Sequence, residues 1–476
     1  MRKYKLSKII LFGAGVYYQK FKKIYAGDDE IVCMLDNNSR LWGTYVDGIL
    51  VCDPSEILGK EFAYVVLLSA KAYEMKEQLI SLGVVKEKIC CFEQYRFWKR
   101  GKESRFYPAQ NPTDKSDGSK ALILSIPLGY DGGSMTAVLA AKSLQERGWI
   151  VTLAAQDANP AFIKELEKEN LDICLWEGLP YVSEEMRQWT EKFDVVVVNT
   201  FPMLVAACEI SKSKPVLWWI HECSDRYDVH YGKTQKYFPE YSNLQAVQNI
   251  KAVGVSEVAK ENFNDYYPKG ITSTLPYAIL DVWDGNVSKE FEDGICIAVI
   301  GNMSQRKAQK LLLEAYGLLP EEEKKKAEIW LIGAERTAYG NEVKELAKDL
   351  PQIKILGEKT REEMEQLYRQ IDVVVCCSLE ETMSLTITEG MMYGKVCLCT
   401  TAAGMADYIE DGKNGFLFEV GDARSLADKL HQILCLGKAS ESIGRNARST
   451  YEENFKLEVL GENLEKLLLE MKGEGV

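Results

Sequence analysis

Between Ser378 and Gly415 the chain reads SLEETMSLTITEGMMYGKVCLCTTAAGMADYIEDGKNG, and two carboxylates within it, Glu381 and Glu389, bracket seven residues. Ser384 can cap a short helix that Gly394 can end, which leaves Glu381 on the preceding loop and Glu389 about one turn into the helix. A helix start at Met383, Ser384, Leu385 and Thr386 would present free amides and a positive partial charge, a cradle suited to a diphosphate with no metal present. Glu389 could then accept hydrogen bonds from a ribose diol. Two acids at this spacing also suit a solvated helix face. Here they follow a buried-looking strand and precede the turns Asp411-Gly412 and Asn414-Gly415, which favours a site.

The same run, with the small-residue turn Ala403-Gly404 and then Asp407, resembles the donor site of family 4 (group 1) retaining glycosyltransferases of the GT-B fold. In that family the pattern is roughly S-x-x-E-G-F-G-x-x-x-x-E-A-M-x-x-G-x-P-V followed by G-G-x-x-E; here Ser378, Glu381, Glu389, Gly390, Met391, Gly394, Val396, Gly404 and Asp407 occupy the matching positions. The resemblance implies an α/β chain with two Rossmann-like doubly wound parallel-sheet domains facing a cleft. Glu381 would orient the donor sugar and Glu389 would hold the ribose.

The elements that must position these groups are legible as a strand and helix rhythm. From Lys120 onward, apolar strands at Ala121 to Ile126, Trp149 to Leu153, Asp172 to Trp176, Val195 to Val198, Val216 to Ile220 and Ala252 to Val255 are separated by stretches with helical spacing. The first loop carries Gly132-Gly133 at a helix start, where the family has a glycine pair over the donor diphosphate. The strand Val216 to Ile220 ends in His221, which matches a donor-sugar histidine of the family. After it comes a tyrosine-rich stretch, Asp225 to Asn243, expected to be a long loop, with Arg226, Tyr227 and Tyr231 as the acceptor-binding candidates.

A second sheet domain opens with Ile295 to Ile300 and the turn Gly301-Asn302, followed by Arg306 and Lys307, where fixed cations and free amides would face a phosphate. Family members commonly carry G-R-x-x-x-x-K-G here. Lys307 matches, Asn302 replaces the arginine, and Arg306 could supply the missing charge. By the same resemblance the loops bearing Gly333, Glu335, Leu356 and Gly357 line the base pocket, and the terminal helical stretch returns to the first sheet domain.

Residues 1–98 form a smaller unit. Strand Lys8 to Phe12 runs into Gly13-Ala14-Gly15, and strand Ile31 to Leu35 ends in Asp36, so Gly13, Gly15 and Asp36 are the candidates for an accessory nucleotide site. The third glycine of the dinucleotide fingerprint is absent, since Tyr18 stands there. FGAG, LDNN, VDGILVCDPSEI and LGVVKEKI are similar to the small Rossmann-like domains of some sugar acyltransferases and methyltransferases, where a structural module and a nucleotide-sugar site are equally open readings. The expected order is this unit (1–98), a linker (99–119), the acceptor-side domain (120–285), the donor domain (286–445) and a returning helix (446–476), with a hinge near Trp283 to Gly294.

The bulk numbers narrow the partners. A net charge of −13 and a pI of about 5.1 argue against a nucleic-acid surface. The 13 cysteines lie mostly in apolar strands, without metal-ligand spacing, and only three histidines accompany them, so no metal centre and no cofactor is expected. No apolar run approaches the ~20 residues of a membrane span, and no leader segment is evident, so the expected compartment is the cytoplasm. The basic aromatic stretch around Arg96, Phe97 and Trp98 suits packing between domains or, as the competing use, peripheral contact with an anionic membrane face.

Together these imply a metal-independent retaining transferase. It would move a sugar from a UDP- or GDP-sugar to a hydroxyl of a glycan or lipid-linked acceptor in polysaccharide assembly. The competing readings are a non-catalytic GT-B partner that binds a nucleotide sugar beside another transferase, and a GT-B epimerase or phosphorylase.

Overall fold

The computed structural model describes residues 7–25, 29–100, 104–110, 118–244, 247–285 and 294–473. Within them the chain builds three sheets in succession. The first contains β1 (Lys8–Phe12), β2 (Glu30–Leu35), β3 (Tyr45–Val46), β4 (Ile49–Cys52), β5 (Tyr64–Leu67) and β6 (Ile89–Cys91), ordered β3-β4-β2-β1-β5-β6. The second contains β7 (Arg105–Tyr107), β8 (Lys120–Ser125), β9 (Ile150–Ala155), β10 (Asp172–Leu175), β11 (Val195–Asn199), β12 (Val216–Ile220), β13 (Ile250–Gly254) and β14 (Ile271–Thr274), ordered β14-β13-β12-β11-β8-β9-β10-β7. The third contains β15 (Ile295–Ile300), β16 (Ala327–Ile332), β17 (Ile353–Gly357), β18 (Val373–Cys376), β19 (Val396–Thr400) and β20 (Phe416–Phe418), ordered β17-β16-β15-β18-β19-β20.

Pairing is parallel except at β3 with β4 and at β7 with β10. Parallel strands need crossover helices on both faces, so their residues are buried on both sides and the strands read as unbroken apolar runs. β11, with the sequence VVVVN, and β12, with VLWWI, are buried at every position.

Two expectations are corrected here. The segment 99–119 is not a plain linker: the helix Phe92–Arg100 runs into it, and β7 inside it adds an antiparallel edge strand to the second sheet. The Asp225 to Asn243 stretch is not a loop but mainly the helix Tyr227–Tyr237. Tyr227 is wholly buried, its ring against Phe201 at 4.5 Å and stacked on Tyr266 at 5.1 Å, and this packing outweighs a weak helical propensity.

The front sheet docks on the second one through mixed aromatic and ionic contacts. Phe97 meets Tyr181 at 5.2 Å between ring centroids, Lys76 pairs with Glu240 at 2.8 Å, and Lys236 donates to the Tyr17 hydroxyl at 2.8 Å. Arg96, Phe97 and Trp98 are half-buried, and the Trp98 ring lies 5.6 Å from Tyr64.

The last helix, Leu457–Lys472, returns from the third sheet to pack on the helix Gly132–Glu146. Gly461 permits the approach, since a Cβ there would lie 3.3 Å from Ser143 Cβ. Glu465 accepts from Arg147 Nε at 2.6 Å and Trp149 Nε1 at 2.9 Å. Where the chain crosses between the two large sheets, the Ile279 amide donates to Phe455 O at 3.0 Å and the Tyr451 hydroxyl to Ile279 O at 3.0 Å. Arg448 forks onto Asp281 at 2.9 and 2.5 Å and lies 5.0 Å from the Trp283 ring centroid. Of the expected hinge, residues 286–293 fall outside the described residues.

Candidate active site

Both large sheets reverse direction of strand order beside their first long strand: β8 lies between β9 and β11, and β15 between β16 and β18. Loops leaving the carboxyl ends of such strands diverge and open a crevice. The loops after β8 and β12 meet those after β15 and β18 across it.

On the β8 side, Asp131 caps the helix by accepting from the Ser134 amide at 3.0 Å, and Gly132-Gly133 form its first turn. A Cβ on Gly132 would lie 3.3 Å from Leu385 Cδ1 of the opposite domain, and one on Gly133 would lie 3.4 Å from Thr200 Cγ2. Asn199 holds the turn from below, donating to Gly133 O at 2.8 Å and to Ser125 Oγ at 3.2 Å.

On the β15 side, Gly301 (φ +142°) and Gly333 (φ +139°) let two loops touch, and a Cβ on Gly333 would fall 2.3 Å from Gly301 O. Asn302 Oδ1 accepts from the Ala334 amide at 3.2 Å, so this side chain ties the loops together. Positive charge comes from the next residues. Lys307 Nζ and Arg306 Nη1 both donate to Glu381 Oε2, at 2.5 and 3.0 Å, and Ser378 Oγ lies 3.3 Å from the same oxygen. Burial works against the Arg306 charge, but the Glu381 carboxylate more than offsets it and holds the guanidinium above its usual range.

The helix that follows is Leu385–Met392, with Ser384 as N-cap accepting from the Ile387 amide at 3.4 Å and Gly394 left-handed beyond its end. Met383 and Ser384 are buried, Thr386 half-buried, and Leu385 exposed toward the crevice glycines. Glu389 lies one turn in, where burial raises its carboxyl and the Tyr368 hydroxyl donates to Oε2 at 2.6 Å. Nothing in the helix Arg361–Gln370 marks Tyr368 in the sequence, and this partner was not anticipated.

His221 stands at the end of β12 and is joined to the donor loop by its backbone, since Thr382 Oγ1 donates to His221 O at 2.8 Å. The imidazole lies 4.8 Å from the Trp219 ring, and its Nε2 is buried without a partner. Burial lowers its pKa to about 3, so the ring is neutral at physiological pH and presents a nitrogen that a sugar hydroxyl can satisfy. The adjacent Glu222 accepts from the His221 amide at 3.0 Å, and burial pushes its carboxyl up to about 7.

At the lip, Glu380 accepts from the Ser224 amide at 2.7 Å, Ser224 Oγ at 2.6 Å and Asn262 Nδ2 at 2.6 Å. Deeper in, Ser256 Oγ donates to Thr382 O, and the Tyr277 hydroxyl meets Thr388 Oγ1 at 3.2 Å. Glu222, Glu380, Thr382 and Tyr277 were not foreseen as cleft residues, although Glu380 and Thr382 flank an acid that was. The partners of Glu380, Thr382 and Tyr277 lie more than a hundred positions away in sequence, beyond the reach of local spacing.

Other expected residues fall outside this cluster. Gly333 donates to Gly357 O at 2.9 Å at the edge of the same sheet, Leu356 is half-buried, and Glu335 is engaged by Lys344 at 3.2 Å. Arg226 is exposed and Tyr231 packs on Tyr266 and Tyr267 at 5.2 and 5.3 Å; Tyr227, wholly buried, has no surface to offer an acceptor. In the front sheet Gly13 (φ +114°) passes under Leu68 O, and Asp36 accepts from the amides of Ala14 and Asn38, both at 2.8 Å. The open crevice there, about 510 Å³, is lined by Gly15, Asn37 and Lys71 among others.

Residues 284–450 match the family described as glycosyl transferases group 1, and residues 5–90 match the C2185-like N-terminal family. The chain is 31% identical over 157 residues to the sulfoquinovosyl transferase SQD2 of Arabidopsis thaliana, covering 32% of this chain and 29% of that protein. It is 27% identical over 160 residues to the putative glycosyltransferase EpsD of Bacillus subtilis (strain 168), covering 33% and 41% respectively. The chain thus spans less than half the length of these curated relatives. Among solved structures, Anabaena Alr3699/HepE in complex with UDP-glucose superposes with a TM-score of 0.59 at 17% identity, covering 74% of this chain and 99% of that one. WaaG, a glycosyltransferase involved in lipopolysaccharide biosynthesis, superposes with a TM-score of 0.54 at 16% identity, covering 73% and 99%. The two large sheets have the GT-B fold of these structures, and residues 284–450 form a glycosyl transferases group 1 domain.

Proposed function

We propose that the protein is a retaining glycosyltransferase that takes a sugar from a nucleoside diphosphate carrier, UDP or GDP, and passes it to a hydroxyl of a glycan or lipid-linked acceptor in polysaccharide assembly. The observation that carries this reading is the convergence of Lys307 and Arg306 at one carboxylate beside the start of the helix Leu385–Met392, facing the Gly132-Gly133 turn across the crevice. Two cations and a helix start are a means of holding a departing diphosphate without a metal, and fixed in a sheltered cleft they require no reorganisation during reaction. The complex of the Anabaena structure with UDP-glucose supports a nucleotide-sugar donor.

In this reading Glu389 accepts from the ribose, and Glu381 and the neutral His221 orient sugar hydroxyls. The bond from the anomeric carbon to the diphosphate oxygen breaks while the acceptor oxygen bonds the same face. The acceptor proton passes to the departing phosphate, so no protein base is required. Arg226 and the exposed lip near Ser224 are the acceptor-side candidates.

One observation favours a non-catalytic nucleotide-sugar binder: the family arginine is Asn302 here, and its side chain is engaged by Ala334. A panel of UDP-, GDP- and ADP-sugars, read by thermal shift and by slow donor hydrolysis, separates the two. A transferase shows stabilisation and hydrolysis with one donor class, both weakened by Lys307→Ala, and weaker donor affinity in Glu389→Gln. Stabilisation with no turnover, with or without candidate acceptors, supports the binder. No stabilisation by any nucleotide sugar sinks both.

A further inference from the structure

Away from the cleft, the helix Ala423–Leu436 carries His431 and Cys435 four residues apart, hence on one face. The short helix Glu321–Lys324 brings Glu323 to the same spot across 108 positions of sequence, with Oε1 2.8 Å from His431 Nδ1. Cys435 Sγ lies 3.8 Å from Nδ1 and 3.7 Å from Nε2 of that ring. The three ligand atoms fall within 4.8 Å of one another.

Two further features set the cluster apart from an ordinary surface ion pair. Glu323 is largely covered, 15% exposed along its side chain, and its Oε2 is buried with no hydrogen-bond partner. Cys435 is exposed, whereas the other 12 cysteines are buried. A pairing of Glu323 with His431 leaves Oε2 unused and gives the thiol only a long sulfur contact to the same ring.

We propose that Glu323, His431 and Cys435 form a zinc site on the outer face of the donor domain. Zinc bonds to nitrogen, sulfur and oxygen are about 2.0–2.3 Å, which puts tetrahedral ligands roughly 3.4 Å apart, within the span of separations seen here. A carboxylate, an imidazole and a thiolate make a donor set that suits this borderline ion, with water in the fourth position. Binding releases the thiol proton to solvent, and no redox change is involved. The ion would clasp the helix Ala423–Leu436 to the segment that follows the helix Gln309–Gly317. The latter packs directly on Ala423–Leu436 and begins two residues after Lys307. The site therefore braces the element behind the cleft cations and takes no part in sugar transfer.

The test uses the full chain, stripped with chelator and titrated separately with Co²⁺ and Zn²⁺. Co²⁺ should give a near-ultraviolet thiolate-to-cobalt band that saturates at one equivalent. C435S and H431A should abolish it, and E323Q should weaken it. Zn²⁺ at about a hundredfold excess over Kd should raise Tm by roughly 5 °C in the parent and leave C435S unchanged. It should also protect Cys435 from a thiol reagent. No thiolate band in the parent, a band that survives in C435S or H431A, or one indifferent to E323Q overturns the site. Folding of the variants is checked by their unchanged Tm without metal.

Discussion

The substitution Glu381→Gln probes the cation pair directly. The Glu381 carboxylate pairs with both Lys307 and Arg306, and its own side chain is only 10% exposed. Removing one partner from a buried pair costs about 3–5 kcal/mol. Arg306 is 37% exposed along its side chain, so solvent screening reduces this to about 2 kcal/mol. At roughly 2–4 °C per kcal/mol for a domain of this size, Tm should fall by about 4–8 °C. Any buried ion pair would behave so; the distinguishing effect appears with ligand. If the diphosphate takes the place that the carboxylate holds at the two cations, the parent must release Glu381 from them on binding and the variant need not. The nucleoside diphosphate that stabilises the parent should therefore bind E381Q more tightly, by about tenfold, the equivalent of about 1.4 kcal/mol. The intact nucleotide sugar should gain less and turn over more slowly, because the amide orients the sugar poorly. Isothermal titration with UDP and GDP, alongside donor hydrolysis, measures both. Equal or weaker nucleoside diphosphate binding by E381Q refutes the competition, and with it the reading of Lys307 and Arg306 as the diphosphate cradle.

Two other outcomes follow from the same geometry. Glu222 retains its proton to about pH 7 in the folded chain against 4.5 ordinarily, so the unfolded chain loses its proton first and stability falls by about 3 kcal/mol as pH rises between those values. His221 has the opposite sign: held neutral down to about pH 3 against 6.5 ordinarily, it costs stability as pH falls below 6.5. Urea unfolding from pH 4 to 8 should show Glu222→Gln matching the parent near pH 4 and exceeding it above pH 7; parallel curves would contradict the buried carboxyl. At the crossing point, Arg448→Ala loses the fork onto Asp281, the 2.6 Å bond to Met392 O and the Trp283 contact, a cost of about 2–3 kcal/mol. Arg448→Lys should recover less than half of it in the same denaturation assay, since an ammonium cannot make the fork.

Much of this architecture is local in origin and therefore legible. β12 and β15 begin and end where their apolar runs do, and Ser384 and Gly394 bracket the site helix as their cap chemistry requires. The rest depends on distant partners. Tyr227–Tyr237 carries Gly232 and few strong helix formers, and it is the aromatic floor of Phe201, Phe263 and Tyr266 that folds it. β7 is three residues long and exists only because β10 offers an edge. Asn302 reads as a lost cation, yet its role is set by Ala334, 32 residues on. Of the three zinc-site residues only His431 and Cys435 share a helical spacing, and Glu323 arrives from a different helix.

The contact of Ile279 with Phe455 and Tyr451 gives the crossing a mechanical meaning. Both passages of the chain between the large sheets are bonded to each other at one place, so they act as a single fulcrum and not as two separated tethers. A rotation about it leaves Tyr277, two residues from Ile279, and its partner Thr388 nearly still. The same rotation is amplified with distance, and the Ser224 to Glu380 contacts at the lip join the same two domains. Opening the jaw must therefore break the three hydrogen bonds to the Glu380 carboxylate together with the Thr382 to His221 and Ser256 to Thr382 bonds deeper in, while the aromatic core at the fulcrum is spared.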